Sequence, residues 1–314
     1  MSEGKAPGIS LKALLTFYMA NYALLALFRL VPLHAGFRLV HRLADSFLLR
    51  RTVFGKIAAN TAARMKGVYG SSRGEDEIAG MSRRQVANFL WQQMSMYYGL
   101  ARGYGYLAEF ITVEGLANII EARKQHRGLL VVTGHYEGNY FLLARLLKEL
   151  GEPIMLFGEF SREPVTRVLQ DRIEKKLPVR FIEARDSSAA ELQKFFEEDR
   201  IVFSYYDAPK KNGIPVIFLG KEATSAVGPM ILSRRCGAPV VPMVVERQGF
   251  SYHGIILPQR KWGPAEDEDA FMKVNAEGLT KIFSDWTEGR PEQWEWVNKW
   301  KYAGAGTAPP GKAR

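Results

Sequence analysis

The hydrophobic pattern of the chain switches repeatedly between two periods. Between residues 128 and 258, apolar runs of strand length recur: "GLLVVTG" (128–134), "PIMLFGE" (153–159), "VRFIEA" (179–184), "IVFSYYDA" (201–208), "VIFLGK" (216–221), "PVVPMVVERQ" (239–248) and "SYHGIILP" (251–258). Runs this short and this rich in β-branched and aromatic residues fit strands. The stretches between them carry apolar residues three and four apart, which predicts helices over 140–150, 163–176, 189–198, 228–236 and 267–288. That alternation predicts an α/β fold with a mostly parallel seven-stranded sheet flanked by helices, the last two runs being close enough to form a hairpin. In such sheets functional residues gather where strands end and helices begin.

Upstream the pattern changes. Residues 51–107 read as a helical lead-in, with "SRRQVANFLWQQMSMYYGLARGY" setting apolar and aromatic residues at helical spacing. Further upstream, "ALLTFYMANYALLALF" (13–28) carries no charge. A free-standing span needs roughly 20 apolar residues, so this run suits an N-terminal membrane-associated helix, as a monotopic anchor or a marginal single span. It lacks the small-residue cleavage site of a secretory signal. Arg29, Arg38, His41, Arg42, Arg50 and Arg51 follow it and favour the anionic cytoplasmic leaflet of a membrane. The alternative is a buried first helix of a soluble domain. The tail "AGAGTAPPGKAR" (303–314) reads as disordered. The expected organisation is an anchor and basic segment over 1–50, a main domain over 51–302 and the tail.

Composition narrows the classes. With 314 residues and 47% hydrophobic content the chain fills a sizeable core. A net charge of +10 asks for an anionic partner: nucleic acid, a membrane surface or an acidic substrate. No zinc-finger spacing or aromatic-interleaved basic stripe is present, which argues against nucleic acid. The single cysteine, Cys236, excludes an internal disulfide and a Cys-rich zinc site, and its context "SRRCGAPVVP" suits a small buried hydrophobe.

Chemistry concentrates in the turn "GHYEGNY" (134–140), just past the first strand of the sheet region. Gly134 and Gly138 free the backbone to turn sharply. A histidine near a helix N-terminus is held neutral by the helix dipole, the form a general base needs, so His135 is a candidate base. Glu137 is close enough to orient one ring nitrogen, and Asn139 either caps the helix or contacts substrate. The plain alternative is a polar loop residue and a cap. No second histidine stands at metal-ligand spacing, since His126 and His253 lie in unrelated segments, so no metal and no cofactor are expected.

Beyond Arg200 the chain reads "IVFSYYDAPKKNGIPVIFLGKEATSAVGPMILSRRCGAPVVPMVVER", and it closes with "RPEQWEWVNKW" (290–300). Asp207, "VIFLGKEATSAVGP", "CGAPVVP" and that closing motif resemble the lipid A biosynthesis acyltransferases, the lauroyl and myristoyl transferases of the lysophospholipid acyltransferase superfamily. The resemblance covers roughly residues 10 to 302. It implies a membrane-associated enzyme that moves an acyl chain from acyl carrier protein, or from acyl-CoA, to a hydroxyl of a membrane lipid acceptor such as a lipid A precursor. The runner-up acceptors are another lipid or an aminolipid, and the third reading is a non-catalytic lipid-binding relative.

In that family a histidine is followed, after four residues, by an acid. Here Tyr140 stands at the strict spacing, and Phe141 after shifting for an apparent insertion. Glu137 is favoured as the carboxylate. The other readings are a remote acid, Glu159 or Asp207, or a lost dyad. The spacing itself raises an objection to Glu137, because two residues along a helix is a rotation of about 200°. The resemblance further implies a substrate-binding arginine, which Arg172 matches, as do Lys175 and Lys176 by spacing. It places Asp207 in the active-site region, against a turn-forming role before Pro209. Thr224, Ser225 and Gly228 resemble a loop opening a helix, able to donate backbone N–H groups to substrate.

Overall fold

The computed structural model describes residues 23–46, 51–160, 164–184, 186–207 and 213–296. Five of the apolar runs form mutually parallel strands: β2 (Leu129–Thr133), β3 (Ile154–Gly158), β4 (Val179–Glu183), β5 (Ile201–Tyr205) and β8 (Val240–Gln248). Every residue of β2 is buried, as a central parallel strand covered on both faces must be. The chain reverses at Gly249 (φ 69°) and Phe250, so β9 (Ser251–Ile256) returns antiparallel to β8 as the expected hairpin. β1 (Ile111–Glu114) adds parallel to β9 at the edge, completing a seven-stranded sheet in the order β1-β9-β8-β2-β5-β3-β4.

One predicted strand lies elsewhere. The run 216–221 belongs to a separate antiparallel hairpin of β6 (Ile214–Phe218) and β7 (Lys221–Ser225), turning at Leu219 (φ 50°) and Gly220 (φ 70°). The reason is amphipathicity: Val216 and Phe218 are buried while Ile217 is 60% exposed. A central strand buries both faces, whereas this one covers the helix 268–289 with one face only. The seventh strand of the sheet is instead β1, too short and polar to stand out as a run.

The helices follow the predicted ranges to within a residue or so: α7 (Asn139–Leu150), α8 (Pro164–Lys176), α9 (Ala189–Glu197), α10 (Gly228–Cys236) and α11 (Glu268–Gly289), with α6 (Leu116–Arg123) between β1 and β2. Their ends carry the expected chemistry. A capping box of Ser188 and Glu191 starts α9, Asp267 accepts the Ala270 N–H at the start of α11, and Gly151 in the left-handed region ends α7. The lead-in forms α3 (Val53–Tyr69), α4 (Glu75–Arg102) and α5 (Tyr104–Ala108).

Nearest the N-terminus, α1 (Ala23–Leu30) and α2 (Leu33–Asp45) meet at a 118° bend, and among the described residues no single helix is long and apolar enough to cross a membrane. Pro32 enforces the bend, because the residue before a proline is pushed out of the helical region. The Arg102 guanidinium donates to the carbonyls of Phe28, Arg29 and Val31 at 2.9, 2.7 and 3.1 Å, satisfying the end of α1. Phe28 and Leu33 are buried in the core, while Leu27, Leu30, Leu39 and Leu43 face outward. Most of the expected anchor, residues 13–22, and the tail 303–314 lie outside the described residues.

Candidate active site

The register of two strands builds the site. β2 and β5 pair in parallel from Leu129↔Ile201 to Thr133↔Tyr205. Two residues further along each chain, the same register sets His135 beside Asp207. The imidazole Nδ1 lies 2.5 Å from Asp207 Oδ1, and the His135 backbone N–H donates to Oδ2 at 2.6 Å. The Trp294 indole N–H donates to the same Oδ2. An ionised carboxylate only accepts, so Nδ1 carries the proton and Nε2 is the nitrogen left to take one. The Asp207 side chain is 1% exposed and that of His135 29%. Thus the acid is sealed in while the ring reaches the surface of a cavity. Tyr205 stacks on the imidazole with centroids 4.1 Å apart, fixing the ring plane.

The cavity measures about 1120 Å³. Leu143, Leu147, Leu156, Phe160, Ile173 and Phe181 supply much of its wall, and His135, Asn139, Tyr140, Glu159, Tyr205 and Glu295 are among its polar residues. That exceeds the roughly 300–1,000 Å³ of sites for small drug-sized ligands, and the lining suits a long apolar chain. The Tyr140 phenol is pushed up to about 12 by burial first and by nearby Glu295 second, so it stays protonated.

The family model of the bacterial lipid A biosynthesis acyltransferases matches residues 8–302. The chain belongs to this acyltransferase family. A comparison with curated proteins finds no match.

In this acyltransferase the carboxylate that reaches His135 is Asp207, and the expected pairing with Glu137 is corrected. Glu137 is 3% exposed, and its Oε1 lies 2.7 Å from Arg247 Nε and accepts from the Tyr252 hydroxyl at 3.0 Å. Tyr252 in turn accepts from the Trp91 indole at 2.9 Å. His135 to Glu137 is a turn that precedes the helix, and it aims the Glu137 side chain at Arg247 on β8 and Tyr252 on β9 rather than at the His135 ring. Burial, opposed by Arg247, pushes the Glu137 carboxyl up to about 7. Of the positions where the family spacing calls for an acid, Tyr140 lines the cavity and Phe141 is buried, stacked on Tyr252 at 4.2 Å.

The other expected site residues divide. Asn139 lines the cavity, but its buried amide donates to Gly134 O at 2.7 Å and accepts from Thr133 at 3.4 Å, so it fastens the turn rather than capping α7. Gly228 lines the cavity at the start of α10. Thr224 and Ser225 lie behind Asp207 instead, around a void of about 10 Å³ shared with Thr280, whose hydroxyl donates to Ser225 Oγ at 3.3 Å. Arg172 is not part of the cavity wall. Its neighbours Leu169, Gln170 and Ile173 are, and Arg172 interacts with Tyr97 on α4, because the amphipathic helix turns its apolar side inward. Lys176 donates to the Leu100 carbonyl at 3.1 Å, and Lys175 is exposed.

Three residues escaped the sequence reading as site components: Trp294, Tyr205 and Glu295. For Trp294 the available signal was the closing motif itself, since a buried indole N–H needs an acceptor.

Proposed function

We propose that this acyltransferase moves a fatty acyl chain from a thioester, on acyl carrier protein or coenzyme A, to a hydroxyl of a membrane lipid, with a lipid A precursor as the acceptor. The observation that carries the reading is the His135–Asp207 pair, 2.5 Å apart at the wall of a large apolar cavity. His135 Nε2 takes the proton of the acceptor hydroxyl as its oxygen attacks the thioester carbonyl. Asp207 holds the imidazole in the required tautomer and stabilises the imidazolium. Collapse of the tetrahedral intermediate breaks the carbon–sulfur bond, and the imidazolium returns its proton to the leaving thiolate.

A second acceptor class, an aminolipid, is favoured by one observation: Glu159 and Glu295 contribute carboxylates to the cavity that His135 borders, in a chain of net charge +10. Location at the cytoplasmic face of an inner membrane is supported by the outward Leu27, Leu30, Leu39 and Leu43, with Arg38 and Arg42 exposed among them. The same basic surface suits an acidic carrier protein.

The test incubates the purified protein with lauroyl or myristoyl thioesters of acyl carrier protein and coenzyme A, plus a lipid A precursor in detergent micelles. Mass spectrometry should show one added acyl chain, lost in His135→Ala. A His135→Ala protein with full turnover would remove the base. Acylation of an aminolipid with lipid A precursor untouched would select the second acceptor.

A further inference from the structure

We propose that Trp294 is a positioning residue for acyl transfer, its indole N–H locking the Asp207 carboxylate in line with the His135 ring. The inference rests on the His135–Asp207 reading above. The closing motif does more than pack. Residue 294 forms a β-bridge to Tyr136, the Glu295 N–H donates to the His135 carbonyl at 2.9 Å, and the Glu137 N–H donates to the Gln293 carbonyl at 3.1 Å. Gln293 Oε1 also accepts from the Arg247 N–H at 2.7 Å. Residues 293–295 therefore grip the main chain on both sides of the catalytic turn, while the Trp294 side chain crosses to the acid of the neighbouring strand.

The indole is 2% exposed and wedged between Phe218 at 5.4 Å and Trp296 at 4.9 Å, so its N–H direction is fixed by packing. A carboxylate this buried needs donors to stay charged and in place. Oδ2 receives two, the His135 backbone N–H and the Trp294 indole, leaving Oδ1 for the imidazole. Without the indole, less of the carboxylate charge is shared, so the imidazolium is held more tightly and the acid is free to swing.

The test compares two variants of the full chain. Trp294→Phe keeps a buried ring and removes the N–H. Trp294→His is smaller, yet its Nε2–H falls at the ring position of the indole Nε1. Two readouts are taken: kcat against KM for the acyl donor, and the pH titration of His135 by NMR, assigned among the five histidines by its loss in His135→Ala. The other titratable groups at the imidazole are Asp207 after β5, Tyr205 at its end, Tyr140 on α7, Glu159 after β3 and Glu295, unchanged in both variants; Trp294→His adds a sixth histidine at Asp207, whose own titration is assigned by its absence from the wild type.

In Trp294→Phe the titration midpoint should rise by about half a unit or more, because less donated charge at Asp207 favours the imidazolium. Its kcat should fall about tenfold with KM little changed, as expected for misplacement of a catalytic group. Trp294→His should restore the midpoint despite being the less stable protein. A Trp294→Phe enzyme with wild-type kcat and midpoint overturns the proposal, as does activity that follows ring size, with His worse than Phe on both readouts. Where Trp294→Phe fails to fold, the His variant decides alone, and a midpoint shifted as the N–H is retained overturns the proposal. Full turnover in His135→Ala would instead sink the underlying dyad. A dead His135→Ala beside a normal Trp294→Phe sinks only this inference.

Discussion

Asp207→Asn is the sharpest perturbation of the site, because it preserves shape and inverts one hydrogen bond. Oδ2 accepts two N–H groups and Oδ1 faces His135 Nδ1. The asparagine therefore settles with its oxygen at the Oδ2 position, keeping both donors, and with its NH₂ toward the ring. An NH₂ cannot accept, so Nδ1 becomes the acceptor and the proton moves to Nε2, the nitrogen that must be bare to act as base. In hydrolases with an equivalent pair this wrong tautomer costs about 10⁴ in kcat. Loss of imidazolium stabilisation adds to the same step, so kcat should fall by about 10³–10⁴, on the order of 4–5.5 kcal/mol of barrier. Stability should change little, since two of the three bonds survive. The assay is initial-rate acyl transfer with quenched time points, paired with thermal unfolding to confirm an intact fold. An Asp207→Asn enzyme within tenfold of wild type at neutral pH would refute the tautomer argument.

Glu137→Gln should do the opposite, leaving kcat within about threefold and costing stability mainly above about pH 7, where the ionised carboxylate is the buried counter-charge that Arg247 would lose, a loss of about 3 kcal/mol. Burial raises the Glu137 carboxyl from 4.5 to about 7, so between these pH values the folded state holds a proton that the unfolded state has released. Wild-type stability should therefore fall as pH rises across that window, by up to about 3 kcal/mol, and urea midpoints at pH 5 and 7 should differ less in Glu137→Gln. Leu147 lines the cavity eight residues along α7 from Asn139, roughly 12 Å of helix. Leu147→Trp should cut turnover of 14-carbon donors at least about tenfold relative to 8-carbon ones, read from a donor-length series; an unchanged preference would place the acyl chain elsewhere. Leu39→Asp with Leu43→Asp changes two leucines that are 53% and 48% exposed, so it should weaken sedimentation with anionic vesicles by tenfold or more at unchanged Tm. Equal binding would relocate the membrane contact.

The sheet was legible because its central strands are buried on both faces, and burial leaves a continuous apolar run such as "LLVVT" that no amphipathic helix produces. Where a strand is covered on one face only, the run is not diagnostic. Residues 214–218 alternate in burial and pair with 221–225 outside the sheet, whereas Ile111–Glu114, with one fully buried residue, joins the sheet edge. Helix ends were legible for a local reason: Ser188, Asp267 and Gly151 act within a turn of their own position.

The candidate base was legible for the same local reason and its partner was not. His135 announces itself by following a buried strand and standing between two glycines, Gly134 and Gly138, all within a few residues. The carboxylate it meets is 72 positions away, and what joins them is the parallel register of β2 on β5, a long-range property that a single sequence does not encode locally. Nearness along the chain favoured Glu137, yet the turn after the strand aims its carboxylate at Arg247 instead. A constant offset between paired strands carries past their ends for a residue or two. Residues at matching positions after parallel neighbours are therefore better candidates for a dyad than residues close in sequence. By that argument the family spacing filled here by Tyr140 does not imply a lost dyad, since the acid arrives across the sheet, from the turn after β5.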